Sequence, residues 1–234
     1  MAAMSAQETD FGYSGFHTVA DQLSEIGRDF YHRGWLYGTS GNLSAVLGSE
    51  PLRLAITATG VDKGRLSPSH MLEIDGNGEV IRGVLRPSSE TLVHLAIVRN
   101  RHAGAVFHTH SVWSTVLSER YASRGGIEIR NYEMLKGLEN VRTHQHREWI
   151  PVLGNSQDMR TLSQEIGNVV RLQPLVHGIV LRGHGLYTWG SSIEDAKRHV
   201  EVLEFLLEVL GLTGLRSGGL QLDREKNVED TAWQ

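Results

Sequence analysis

Ala105-Val-Phe-His-Thr-His-Ser111 reads as a short buried strand that ends in His108-Thr109-His110. Successive strand side chains point to opposite faces, so His108 and His110 share one. At ~3.3 Å of rise per residue their Cα atoms stand roughly 6.6 Å apart, a span across which two imidazoles can converge on one metal ion. His-x-His alone is a weak signal, since it also occurs where a strand simply meets a loop. A third histidine strengthens it. His184 lies in Ile179-Val-Leu-Arg-Gly-His-Gly-Leu186, between two glycines that contribute no packing but permit a sharp turn. Three neutral imidazoles with an open fourth position form a Lewis-acid site, typically for zinc.

Composition narrows the choice of ligands. The chain has 234 residues and no cysteine, so any metal is held by His, Asp or Glu. With 40% hydrophobic residues it can bury one sizeable core, and a single domain is expected over 1–234. Its core is expected over about 14–212, with 1–10 and 216–234 as loose ends. A net charge of -4 without a Lys/Arg cluster argues against a nucleic-acid partner. Neither an apolar leader in Met1–Asp10 nor a run near the ~20 apolar residues that span a bilayer is present, so a soluble, cytoplasmic protein with no membrane partner is expected.

Outward from the histidine strand, helical periodicity covers Ser14 to Gly34, with Ser14 as N-cap. Alternation over Leu43–Leu47 and Leu52–Ile56 predicts a hairpin, and Asp75-Gly-Asn-Gly78 predicts a second. Ser67-Pro68 opens a short helix. Longer helices are predicted over Ser88–Arg99, Val112–Glu119 and Ser156–Val170. Val176–Leu181 and Leu186–Trp189 read as strands. Ser192 caps a last helix whose core face is Ala196, Val200, Leu203, Leu207 and Leu210. From Arg120 to Pro151 the pattern is weak, with a strand at Ile127–Ile129 and a short helix at Tyr132–Leu138. Tight turns between strands, with helices before, between and after them, predict an α/β (α+β) domain. Its expected form is three-layered, α/β/α, around a mixed and largely antiparallel sheet. No Gly-x-Gly-x-x-Gly opens a helix, so a dinucleotide site is not expected.

Gly38-Thr-Ser-Gly-Asn42 and Thr57-Ala-Thr-Gly60 offer backbone N–H groups and small hydroxyls suited to a phosphate. Ser88 and Ser89, at a helix start, add hydroxyls, and Lys63 adds a point charge. A second His-x-His, His144-Gln145-His146, sits among Arg142, Arg147 and Glu148 and reads as a solvated edge. His94 and His199, on helices, read as packing or surface residues.

Together these residues resemble the class II aldolase/adducin family of zinc enzymes. The resemblance runs from about Ser14 to Leu212 through Gly38-Thr-Ser-Gly-Asn-Leu-Ser44, Ile56-Thr-Ala-Thr-Gly60, Pro87-Ser-Ser-Glu90, His108-Thr-His110 and His184-Gly-Leu186. It implies a class II aldolase-like fold, one Zn2+ per chain on His108, His110 and His184, and a sugar-phosphate substrate. It also implies a homotetramer with sites between subunits. The phosphate would lie on Asn42, Thr59, Gly60, Ser88 and Ser89. Tyr132-Glu-Met-Leu-Lys-Gly137 and Leu85-Arg-Pro-Ser-Ser-Glu-Thr-Leu-Val-His94 are similar to a branch that dehydrates a methylthio-ketose phosphate in methionine salvage. In that branch the Glu133 position is the acid/base and the Glu90 position contacts substrate. In the aldolases of the family the Glu90 position is the acid/base, an epimerase is a further activity on the same scaffold, and adducin-like modules keep the fold without metal. The dehydratase segment often has His two residues before its glutamate, where this chain has Asn131.

Overall fold

The computed structural model describes the backbone of residues 6–216 and the side-chain environments of residues 15–214. Among these described residues nine strands form one sheet. In chain order they are β1 (Asn42–Ser49), β2 (Leu52–Thr57), β3 (Met71–Asp75), β4 (Val80–Arg82), β5 (Ala105–Thr109), β6 (Gly126–Arg130), β7 (Arg147–Leu153), β8 (Gly178–Leu181) and β9 (Gly185–Gly190). Their order across the sheet is β4-β3-β2-β1-β5-β9-β8-β7-β6, with β7 and β8 parallel and the other neighbours antiparallel. The histidine strand β5 is therefore central. His108 lies between Asn42 of β1 on one side and Tyr187 of β9 on the other.

Among the described residues five α-helices complete three layers: α1 (Ala6–His32), α2 (Thr91–Arg101), α3 (Val112–Tyr121), α4 (Met159–Leu172) and α5 (Ile193–Arg216). Alternation along the strands divides the core. Leu54, Ile56, Val106, Ile179 and Leu181 face α2 and α4, meeting Val93, Ile97, Leu162 and Ile166. Leu43, Ala45 and Phe107 face α1 and α5, meeting Leu23, Phe30, Ala196 and Val200. Beyond them Ile129, Ile150 and Val180 pack on Leu117 of α3 and on Leu203 and Leu207 of α5. No helix of the described residues is long and apolar enough to cross a membrane.

Several boundaries differ from the sequence reading: α4 starts at Met159 rather than Ser156 and β8 at Gly178 rather than Val176, and three larger differences concern α1, α2 and β7. Helix α1 begins at Ala6, so Ser14 lies inside it and residues 6–10 are helical rather than loose. Ala6, Gln7 and Glu8 are good helix formers that propagate the helix without an apolar stripe to announce it. The expected loose ends at 1–5 and 217–234 lie outside the described residues. Helix α2 begins at Thr91, with Ser88 and Ser89 in the turn before it and Glu90 at its cap position. Strand β7 was hidden by Pro151, because an interior proline argues against a strand. Pro151 pairs opposite Gly126, the first residue of β6, just ahead of Val152, where parallel pairing with β8 begins. Ser192 does cap α5, its Oγ accepting from the Asp195 N–H at 3.1 Å.

Candidate active site

His108 is buried at the end of β5, and its ring stacks on Tyr187, with centroids 3.8 Å apart and planes 8° from parallel. Its Nδ1–H donates to the Leu186 carbonyl at 3.0 Å, which leaves the Nε2 lone pair facing the cleft. That Nε2 lies 2.8 Å from His110 Nε2 and 3.4 Å from His184 Nε2. Nitrogens bound at 2.0–2.1 Å to one tetrahedral ion stand ~3.3 Å apart, so the three positions fit a divalent metal. The donor set fits too. Burial, followed by the neighbouring imidazoles, lowers His110 to about 3 and His108 well below the usual range. Burial also lowers His184, against the pull of Glu90. All three are therefore neutral, ligand-ready imidazoles near pH 7.

The backbone explains how His184 reaches this point. Gly183 has φ +62°, and a Cβ on Gly185 would lie 2.1 Å from the Thr109 carbonyl and 3.0 Å from His108 Cε1. Both glycines are needed to bring the turn against the histidine strand.

Behind the three histidines runs a directional chain of hydrogen bonds. His94 is fully buried, and burial lowers its pKa to about 4. Its Nε2–H donates to Asn42 Oδ1, and its Nδ1 accepts from Ser44 Oγ at 2.7 Å. With Oδ1 so engaged, Asn42 Nδ2 donates to Glu90 Oε2 at 2.6 Å and to Ser88 Oγ at 3.0 Å. The other Glu90 oxygen lies 3.3 Å from His184 Nε2 and 3.5 Å from His108 Nε2. His94, which reads as packing in the sequence, thus orients Asn42 and through it Glu90. Lys63 is also buried, donating to the Thr39 and Val61 carbonyls at 2.9 and 3.1 Å. Burial lowers its ammonium to about 8, while Asp62 and Glu90 oppose that shift.

Beside these groups opens a cleft of about 250 Å³, walled by Thr39, Ser40, Asn42, Thr59, Lys63 and Ser88, with Ser89, Glu90, His110 and His184 completing it and His108 buried just behind. Gly60, at φ +73°, turns the chain beside Thr59 without itself lining the cleft. Gln157 and Met159, at the entrance to α4, also line it. The sequence reading missed both, because only their position beside the N-cap Asp158 marks them.

A family model, the class II aldolase and adducin N-terminal domain, matches residues 21–210. This chain belongs to that family. A protein named methylthioribulose-1-phosphate dehydratase from Sorangium cellulosum is 41% identical over 213 residues, covering 90% of this chain and 99% of the relative. A protein of the same name from Methylococcus capsulatus is 43% identical over 195 residues, covering 83% and 93%. Among solved structures, L-fuculose-1-phosphate aldolase from Thermus thermophilus shares the fold at a TM-score of 0.67 and 23% identity, covering 89% of this chain and 97% of that one. A sugar-phosphate aldolase from Thermotoga maritima does so at 0.65 and 18%, covering 88% and 97%.

Within this class II aldolase domain Glu133 stands apart from the cleft. It opens a 3-10 turn (Glu133–Gly137) with its side chain 72% exposed, paired to Lys136 at 2.5 Å and 3.8 Å from His144. Lys136 holds its carboxyl below the usual range, the reverse of the upward shift a dry pocket would supply. Asn131 takes φ +66°, a left-handed conformation that asparagine tolerates, and its N–H donates to the His144 carbonyl at 3.0 Å. His144 and His146 do not act as a pair. His144 is exposed beside Glu133, while His146 turns inward to Glu148.

Proposed function

We propose that this chain is a zinc-dependent methylthioribulose-1-phosphate dehydratase of methionine salvage, a cytoplasmic homotetramer that takes a sugar-phosphate substrate. The observation that carries the reading is a cleft uniting three converging histidine nitrogens with three hydroxyl-bearing loops, in a chain 41% identical to a relative of that name. His108, His110 and His184 hold the ion. When bound, it supplies Lewis-acid polarisation of the substrate's C2 carbonyl, making the neighbouring C3 proton removable. Asn42, Thr59, Ser88, Ser89 and the turn at Gly60 hold the phosphate, and Lys63 supplies positive charge to it. Phosphate beside Lys63 offsets the burial that lowers its ammonium to about 8 and keeps it charged.

Glu133 takes the proton from C3 and returns it to the departing C4 hydroxyl, so water leaves and the enol tautomerises to the 2,3-diketone. Its exposure in one chain fits a role at the cleft of a neighbouring subunit, where contact would dry it and shift its carboxyl upward. Glu90 contacts substrate. A second reading gives Glu90 the acid/base role of an aldolase, favoured by its 3.3 Å approach to His184 Nε2.

The test feeds the protein methylthioribulose 1-phosphate and, separately, fuculose 1-phosphate, watching for diketone or aldehyde. Glu133→Gln should lower kcat on the first substrate by ~10²–10⁴-fold with bound metal unchanged. Glu90→Gln should act mainly on KM. The reverse ranking, or aldehyde from fuculose 1-phosphate alone, would establish the aldolase reading instead.

A further inference from the structure

Two groups of side chains among the described residues bring metal-ligating atoms together, and the class II aldolase site uses only one. The other is His146, Glu148 and His177. It follows from local structure. His146, just before β7, and Glu148, within it, are two residues apart, and strand alternation points both to one side. The parallel register that pairs Val152 with Val180 brings His177, three residues upstream of Val180, beside Glu148, four upstream of Val152. His177 and His184 flank opposite ends of β8, so this cluster is separate from the catalytic centre.

The hydrogen bonds leave a gap that a cation fits. His177 Nε2 faces the Glu139 carbonyl at 2.9 Å, and a carbonyl only accepts, so that nitrogen carries the hydrogen. Burial opposes a charge on this ring, but the hydrogen bond and charge of Glu148 raise its pKa above the usual value, and in the neutral ring Nδ1 is a bare lone pair. It points at both oxygens of Glu148, at 3.1 and 3.0 Å. His146 Nε2 reaches the same carboxylate at 2.9 Å. Glu148 is 1% exposed, and its Oε1 already accepts the His177 backbone N–H at 3.1 Å. A lone pair and a buried carboxylate facing each other need a positive charge between them, either a proton on Nδ1 or a metal ion. The nearby His199 cannot provide it, since Nδ1–H donates to the Trp189 carbonyl and Nε2 accepts the Glu139 N–H.

We propose that His146, Glu148 and His177 form a second, structural site for a divalent ion of the zinc class. Two imidazoles and one carboxylate are a familiar zinc donor set. The Glu139 carbonyl holds the His177 ring as an outer-shell acceptor does at such sites. His146, with a quarter of its side chain exposed, leaves room for water as a fourth ligand. Bound there, the ion joins the starts of β7 and β8 and, through Glu139, anchors the loop that follows the Glu133 turn.

The experiment is metal analysis of the full chain after loading with excess Zn2+ and removal of free ion at neutral pH. Wild type should hold about two ions per chain, His146→Ala and His184→Ala about one each, and the double variant about none. If His146→Ala matches wild type, the inference is wrong and a proton on His177 bridges the cluster instead. Loss of metal in His146→Ala but not in His184→Ala would keep this site and overturn the catalytic one. Should His146→Ala fail to fold, the melting temperature of folded His184→Ala decides: Zn2+ should raise it, and no rise refutes the second site.

Discussion

Glu204 offers the sharpest physical test of how the histidine strand is held. It lies on α5 with 2% exposure, and Thr109, between the two β5 histidines, donates its hydroxyl to Glu204 Oε1 at 2.5 Å. Burial pushes this carboxyl up to about 7, with the like charge of Glu208 adding to it and hydrogen bonds from Ser111 and Thr109 opposing it. In the unfolded chain the same group titrates near 4.5. A raised folded value means that the native state binds the proton more tightly. Its stabilising effect is therefore complete below about pH 4.5 and is lost as pH rises through about 7. At ~1.4 kcal/mol per pKa unit, that gap amounts to about 3 kcal/mol. Glu204→Gln keeps the shape and an oxygen for the Thr109 hydroxyl but cannot ionise. Urea unfolding of both proteins at matched concentration and metal load, from pH 5 to pH 8, isolates the effect, because other titrating groups cancel in the difference. The variant should gain about 2.5 kcal/mol on wild type across that range, the rest of the effect lying below pH 5. A difference that stays flat with pH would refute the buried-carboxyl argument.

Other outcomes follow from the same geometry. Asn42→Ala strips Glu90 of a 2.6 Å hydrogen bond and leaves the His94 Nε2–H without its acceptor. It should cost about 2–4 kcal/mol of stability and raise KM at least tenfold, measured by melting and by steady-state kinetics. An unchanged KM would remove Asn42 from substrate binding. Gly185→Ala places a methyl 2.1 Å from the Thr109 carbonyl, so β9 must shift from the histidines. About 1–3 kcal/mol of stability and most catalytic-site metal should be lost, read by urea unfolding and metal analysis. Chelation of wild type should abolish turnover and lower the melting temperature, and added Zn2+ should restore both. Turnover that survives chelation, with metal loss verified, would exclude a metal-dependent step.

Much of the site was legible because its signals are local. His108 and His110 share a face by strand alternation alone, and the glycine-flanked His184 marks itself by its neighbours. The hairpin around Pro51, the cap at Ser192 and the core face of α5 rest on turn chemistry and periodicity within a few residues. Strand β7 was not legible, because its ladder partners lie more than fifteen residues away on both sides and Pro151 argues locally against it.

By itself, then, the sequence determined which residues can do chemistry: three histidines able to hold a metal, hydroxyl-bearing turns and two candidate carboxylates. Tertiary structure decided which of them meet. It placed Glu90 in the cleft and Glu133 on the surface, a difference no spacing reveals, since both follow polar or turn residues in the chain. It turned His94 from a helix-face residue into the group that orients Asn42. It also parted His146 from His144 and set it beside Glu148 and His177, about thirty residues on. The physical reason is the same in each case. Strand register and helix packing fix side-chain positions through contacts far apart in the chain, and only the folded sheet supplies those.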